Sequence, residues 1–245
     1  MYNPYSLEGK TILVTGASSG IGQATAIECS KLGANVIVTA RNEEKLRKTL
    51  DALEGNGHQM FLCDLNKEED IDNLISSLPE IQCLVNNAGY TNLLPVQFIN
   101  SEQFNKILTV NTVAPILILQ KLLKRKKLKK GASVVFTSSL AGLGYGTVGN
   151  SMYSASKGAI SSFIRVAAKE LSPKGIRVNA VCPSMIETSI MEKGNVSQEQ
   201  LDNDKKNYPL GYGEPRDVAL SIVFLLSDAA KWITSTNMIV DCGAV

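Results

Sequence analysis

The feature that most constrains this chain is an alternation. Short runs that are apolar at every position recur between longer segments with helical periodicity. Thr11-Ile12-Leu13-Val14-Thr15 is the first predicted strand, and Ile21 to Leu32 the first helix, closed by Gly33. Strands follow at Asn35 to Thr39, Gln59 to Cys63, Cys83 to Asn86, Ser133 to Thr137, Arg177 to Val181 and Met238 to Val240. Helices are predicted over Glu43 to Leu53, Lys67 to Ser77, Ser101 to Val110, Ala114 to Leu128, Ser151 to Leu171 and Pro215 to Ser227.

A strand apolar on both faces must be covered on both faces, which implies parallel pairing with helical crossovers. Crossovers of that kind are right-handed. The expectation is an α/β fold: one doubly wound, Rossmann-type domain over residues 1–245, with a parallel seven-stranded sheet and helices on both faces. The irregular stretch from Pro183 to Gly213 is long for a compact domain and reads as a substrate lid near 184–210.

Other totals narrow the chemistry. Lysine and arginine number 25 and aspartate and glutamate 23, a balance that gives no general reason to expect nucleic acid or an anionic membrane. Seven cations crowd Lys121 to Lys130, which reads as a solvated helix end favoured by the dipole. The N-terminus lacks a signal peptide's basic and apolar regions, and the apolar run Val113 to Leu119 is interrupted by Pro115. Five scattered cysteines show no metal or disulfide spacing. A cytoplasmic protein without metal is expected. The single histidine, His58, lies in a turn-like Gly-Asn-Gly-His stretch, so a histidine base or a Ser-His-Asp triad has nothing else to rest on.

Between the first strand and first helix stands Thr15-Gly16-Ala17-Ser18-Ser19-Gly20-Ile21-Gly22. Glycines there allow a tight turn and close approach of backbone to a pyrophosphate, which the helix N-terminus then attracts. The strand-turn-helix setting makes a dinucleotide site the expectation, with Gly16, Ser18, Ser19, Gly20 and Ile21 as contacts. After the second strand come Ala40-Arg41-Asn42, with no acid to bind a ribose 2′-hydroxyl. An arginine suits a 2′-phosphate, so NADP(H) is expected over NAD(H).

Tyr153-Ser154-Ala155-Ser156-Lys157 places a phenol and an amine four residues apart, on one face of the predicted helix. That helix follows the fifth strand, on the ligand side of a parallel sheet. Free tyrosine, at a pKa of about 10, is a poor base at neutral pH. Lowering it by about three units takes about 4 kcal/mol, which a cation about 4 Å away supplies at an effective dielectric of 20.

With these motifs the chain resembles the short-chain dehydrogenase/reductase superfamily, and within it the 3-oxoacyl-(acyl-carrier-protein) reductases. The resemblance rests on the glycine turn, Asn86-Asn87-Ala88-Gly89, Asn111, Ser138-Ser139, the Tyr-Lys pair, Arg177 to Pro183 and Pro209 to Pro215. It implies that Tyr153 is the acid/base, that Lys157 holds the nicotinamide ribose, and that Ser139 rather than Ser138 binds the substrate oxygen. Asn111 would hold a water. Asp64 and Leu65 would meet adenine, Asn87, Ala88 and Gly89 the ribose region, and Pro183, Ile186 and Thr188 the nicotinamide side. It also implies a homotetramer or homodimer built on the helices bearing Asn111 and Tyr153. Lys126 and Lys174 lie where such reductases meet an acidic carrier protein. The implied activity is hydride exchange between NADP(H) and a carbonyl or secondary alcohol, with a 3-oxoacyl thioester, another small ketone or a sugar as candidate substrates. A non-catalytic NADP(H)-binding regulator is the alternative of another class. The chain departs from the family at Ser184, at Cys242 and in one extra residue between Ser139 and Tyr153.

Overall fold

The computed structural model describes residues 2–188 and 203–244. Seven strands form one sheet: β1 (Thr11–Thr15), β2 (Asn35–Ala40), β3 (Gln59–Leu62), β4 (Ile81–Asn86), β5 (Leu128–Thr137), β6 (Arg177–Pro183) and β7 (Asn237–Val240). Their order is β3-β2-β1-β4-β5-β6-β7, and every pairing is parallel. The order reverses between β1 and β4, which opens a crevice at the carboxyl ends of the strands.

The helices are α1 (Gly20–Lys31), α2 (Glu43–Asp51), α3 (Glu68–Ser77), α4 (Ser101–Leu108), α5 (Ala114–Lys124), α6 (Ser151–Leu171) and α7 (Pro215–Leu226). Two apolar clusters sandwich the sheet. Ile71, Leu74, Ile118, Leu119, Ile160 and Ile164 bring α3, α5 and α6 onto one face. Ala26, Cys29, Leu46, Val218 and Ile222 bring α1, α2 and α7 onto the other. Consecutive residues of a strand feed opposite clusters: Ile12 and Val14 go to one, Leu13 to the other. That is why these strands are apolar at every position.

Two expectations need correction between Ser101 and Thr137. The helices expected over Ser101 to Val110 and from Ala114 onward are not separate. A π-turn over Thr109–Val113 joins α4 to α5, and the backbone N–H of Ala114 reaches back to the carbonyl of Thr109. Proline sits in the first turn of α5, where its missing donor is tolerated. The resulting run Ser101–Lys124 is long and apolar enough to cross a bilayer by length and composition. Here it is a core helix, since Ile118, Leu119 and Leu122 pack in the cluster against the sheet and Ile107 is buried as well.

The second correction is the end of α5, which lies at Lys124 rather than Leu128. Lys126 adopts a left-handed conformation, φ 55°. Lys127 N–H bonds Leu122 O at 2.8 Å and Lys126 N–H bonds Leu123 O at 3.1 Å. This is a Schellman stop with lysine where glycine usually stands, so no glycine announces it. β5 then starts at Leu128, and the basic run splits between helix and strand. On the helical side Lys121 pairs with Glu68 (2.8 Å) and Asp72 (3.0 Å), and Arg125 with Asp72 (2.6 Å).

Of the expected lid, residues 189–202 lie outside the described residues. The flanks are tied together. Ile186 bridges Gly213, and Glu187 N–H bonds Gly213 O at 2.8 Å. Lys205 lies 3.6 Å from Glu187.

Candidate active site

Thr15 ends β1 and organises the crevice. Its hydroxyl accepts the backbone N–H of Asn87 (3.0 Å) and of Ala88 (3.1 Å), and donates to Val85 O (3.4 Å). The Asn87 amide returns to Thr15 O at 3.2 Å and accepts from the Thr137 hydroxyl at 3.3 Å. The glycine turn is thereby fastened to the ends of β4 and β5. Gly16 has φ 66°, and a Cβ there would sit 2.7 Å from the Ala88 Cα. Only glycine permits that conformation and that contact.

The turn leads into α1, whose N-cap Ser19 makes no side-chain capping bond and whose first turn carries no acid. The leading amides of a helix are otherwise orphaned, so this end keeps donors and a positive dipole for an anion. Arg41 follows β2, is exposed, and makes no hydrogen bond or ion pair with the described residues. It lies close enough to Asp64 to help hold that carboxyl low. Burial pushes the Asp64 carboxyl up, but bonds from Asn66 and the charge of Arg41 outweigh it. Leu65 beside it is buried. Thr188 approaches Gly20 from the other side, with its methyl 3.3 Å from where a Cβ would stand. An uncapped helix, an unpaired cation and a glycine turn meeting at one crevice suit a phosphorylated dinucleotide.

The second half of the crevice is largely buried, and most of its polar atoms are tied. Lys157, 4% exposed, donates to Thr137 O at 2.6 Å. Its Nζ stands 5.8 Å from the Tyr153 ring centroid. Burial pulls the Lys157 ammonium down to about 8. The Tyr153 hydroxyl is pushed up by burial, while the neighbouring Ser139 hydroxyl works the other way. The sequence reading has Lys157 lowering the phenol. In the protein alone burial dominates and the amine is turned to Thr137 O, so Tyr153 stays a protonated phenol at neutral pH.

Ser138 and Ser139 point apart, as successive residues leaving a strand do. Ser138 is buried, donates to Lys157 O (3.0 Å) and shares a bond with the Ser161 hydroxyl (2.8 Å). Ser139 caps the short turn Leu140–Leu143 by accepting from Ala141 N–H, and faces Tyr153. Gly142 lies against α6, where a Cβ would be 2.7 Å from the Lys157 carbonyl carbon. That contact brings the Ser139 turn onto the first turns of α6.

Asn111 occupies the π-turn and is buried. Its side chain closes a pair of bonds with the Tyr90 backbone (3.0 and 2.9 Å) and donates to the Ser156 hydroxyl (3.1 Å). Pro115, four residues on, has no N–H to give the Asn111 carbonyl. Gly89 faces both Asn111 and Lys157, its would-be Cβ 3.1 Å from Oδ1 and 3.3 Å from Nζ.

Comparison with known proteins bears on this geometry. The family described as Enoyl-(Acyl carrier protein) reductase matches residues 16–245. A 3-oxoacyl-(acyl-carrier-protein) reductase of Rickettsia felis is 36% identical over 238 residues, 97% of each chain. The chain belongs to the short-chain dehydrogenase/reductase family. It is therefore an oxidoreductase of that family, which works with NAD(P). A glucose 1-dehydrogenase of Gluconobacter oxydans is 34% identical, covering 96% of this chain and 91% of that one. Among solved structures, a dehydrogenase/reductase from Sinorhizobium meliloti superposes with a TM-score of 0.90 at 29% identity, covering 98% of this chain and 97% of that one. A protein of Agrobacterium tumefaciens named as a 2-deoxy-D-gluconate 3-dehydrogenase, solved with bound NADP, gives 0.89 at 30% identity and 99% coverage of both.

The fold gathers the short-chain dehydrogenase/reductase motifs at one end of the sheet. Tyr153, Lys157, Ser139 and Asn111 form one cluster, while Gly16, Ser19, Gly20 and Thr188 lie at the crevice mouth, with Arg41 and Asp64 beyond. Pro183 ends β6, and Ile186 is buried. His58 lies elsewhere, with Nδ1 accepting Val36 N–H at 3.1 Å and Nε2 against Glu54 O at 2.9 Å. Sequence reading missed Thr15, Thr137 and Ser156, which hold the named residues. Only Thr15 carried a signal, as the residue between strand and glycine turn.

Proposed function

We propose that the chain is an NADP(H)-dependent carbonyl reductase acting on a small ketone, a cytoplasmic enzyme of one domain in which Tyr153 supplies the proton. The observation that carries this reading is the gathering of Ser139, Tyr153 and Lys157 at the carboxyl ends of β5 and β6, with the Lys157 amine 5.8 Å from the centre of the Tyr153 ring and held by Thr137 O. Gly16 to Ile21 and the N-terminus of α1 would hold the pyrophosphate, Arg41 the 2′-phosphate, and Asp64 with Leu65 the adenine. Asn87, Ala88 and Gly89 would meet the ribose side, and Pro183, Ile186 and Thr188 the nicotinamide side. The dinucleotide supplies hydride when bound.

The protein's own part is the proton. Tyr153, held protonated by burial, donates O–H to the substrate oxygen as negative charge develops there. Ser139, held by Ala141 N–H, gives that oxygen a second donor. The phenolate left on Tyr153 is stabilised by Lys157, which shifts its hydrogen bond away from Thr137 O. The Asn111 carbonyl, denied a partner at Pro115, holds a water through which the proton is restored from solvent.

A 3-oxoacyl thioester on a carrier protein is the second reading, favoured by one feature. A 350 Å³ cavity has an apolar floor of Leu123, Leu128 and Ile176 and a rim of Lys126, Lys130 and Lys174, which suits an acidic partner. A second subunit would pack on the helices bearing Asn111 and Tyr153, where Val113 and Val166 are 46% and 58% exposed. NADPH oxidation over ketones, keto-sugars and 3-oxoacyl thioesters decides between them. Tight NADPH binding with no turnover on any of these leaves the regulator reading instead.

A further inference from the structure

At the opposite end of the sheet, β5 departs from its neighbours. It pairs with β4 at Ile81–Leu128 and next at Cys83–Ser133, so one residue of β4 faces four of β5. Pairing with β6 also begins only at Ser133. Residues 129–132, Lys-Lys-Gly-Ala, are thrown out of the ladder. Bulges of this kind re-aim side chains, and Gly131 turns with φ 80°.

Beside the bulge is a cavity of 270 Å³ lined by Lys10, Lys129, Lys130, Arg177 and Lys231, with Asp228 as the one carboxylate. Lys10 pairs with Asp228 at 2.8 Å and also touches Leu226 O at 3.4 Å. Lys129 stands 3.9 Å from Glu80. Lys130 and Lys231 make no ion pair with the described residues. Arg177 is anchored through NH1 to Ile233 O (3.2 Å) and NH2 to Ser227 O (3.3 Å), and burial lowers its pKa. The wall therefore carries five cations against one acid, in a chain whose formal charge is only +2. Converging cations repel one another, and a dense anion among them relieves the repulsion. The volume falls below the ~300–1,000 Å³ of pockets for drug-sized ligands, so the occupant is small. From Ala132 to Thr137 the strand runs roughly 16 Å, which separates this cavity from the Lys157 amine.

We propose that this cavity binds the phosphate or diphosphate group of a small molecule, at a site distinct from the dinucleotide crevice. A fixed arginine with several mobile lysines is a common way to hold phosphate oxygens. Occupancy stabilises the folded chain through the amino ends of β1, β5 and β6 and the end of α7. The proposal does not depend on which carbonyl is reduced.

Inorganic pyrophosphate is the probe, titrated into the full chain saturated with NADPH at constant ionic strength, with the melting temperature as readout. The wild type is expected to show a saturable rise. Lys129→Gln/Lys231→Gln is expected to bind at least tenfold more weakly, with unchanged NADPH oxidation, and Lys129→Arg/Lys231→Arg to retain the response. No saturable rise in the wild type overturns the proposal. So does an equal rise in the glutamine variant, or pyrophosphate competing with NADPH.

Discussion

The two halves of the crevice are built on opposite rules. Around Gly16, Ser19 and Arg41 the protein leaves donors and a cation without partners. Around Lys157, Ser138 and Asn111 almost every polar atom is already held by another part of the chain. A binding surface gains affinity from groups with nothing else to bond. A proton-transfer site gains rate from groups that need not reorganise when charge appears. The first half should therefore respond to substitution in affinity and cofactor choice, the second in turnover.

The largest departure from parity should come at Lys157. Lys157→Met is expected to cut kcat by about 10²–10⁴, the usual worth of a proton-transfer group, while NADPH still binds. The same change should stabilise the fold below pH 8. Burial lowers the folded pKa from the ordinary 10.5 to about 8, so the unfolded chain binds the proton more tightly. That cost is fully present below pH 8 and is relieved as pH rises toward 10.5. It amounts to roughly 3 kcal/mol at 1.36 kcal/mol per unit. Losing the bond to Thr137 O offsets about 1 kcal/mol. Melting curves should show Lys157→Met above the wild type at pH 7 and the gap closing by pH 10. A gap that grows with pH breaks the account of this half.

A smaller effect belongs to the open half. Arg41→Ala should lower the NADPH-over-NADH preference about 10- to 100-fold, the worth of one or two charge-assisted bonds, and leave kcat with NADH unchanged. Steady-state KM values for both cofactors check this. An unchanged preference removes Arg41 from the site.

The smallest effect lies near the C-terminus. Cys242 stands with φ 57°, a left-handed conformation, and its thiol reaches Gly211 O at 3.6 Å. Cys242→Gly removes about 1–2 kcal/mol of strain and adds about 0.5–1 kcal/mol of unfolded-state entropy. A net gain of about 0.5–1 kcal/mol is expected, read by denaturant unfolding.

The sequence showed the sheet well because each strand is apolar on both faces, and the motif residues because they lie at strand ends. It failed where backbone conformation ran against residue type. Lys126 stops a helix in a glycine's conformation, and a π-turn over Thr109–Val113 joins two helices that the sequence pattern separates. The bulge at 129–132 left no pattern, since two of its four residues are lysines that fit an exposed helix end equally well. The partners of the site residues were illegible for another reason. Thr137 acts on Lys157 through its backbone carbonyl, which no side chain encodes.

The claim that Tyr153 gives the proton is tested most directly by NADPH oxidation with the best ketone from the panel, comparing wild type with Tyr153→Phe. The phenylalanine variant should bind NADPH as the wild type does and lose about 10²–10⁴ in kcat. Turnover within a few-fold of the wild type would contradict the assignment and move the proton to another group.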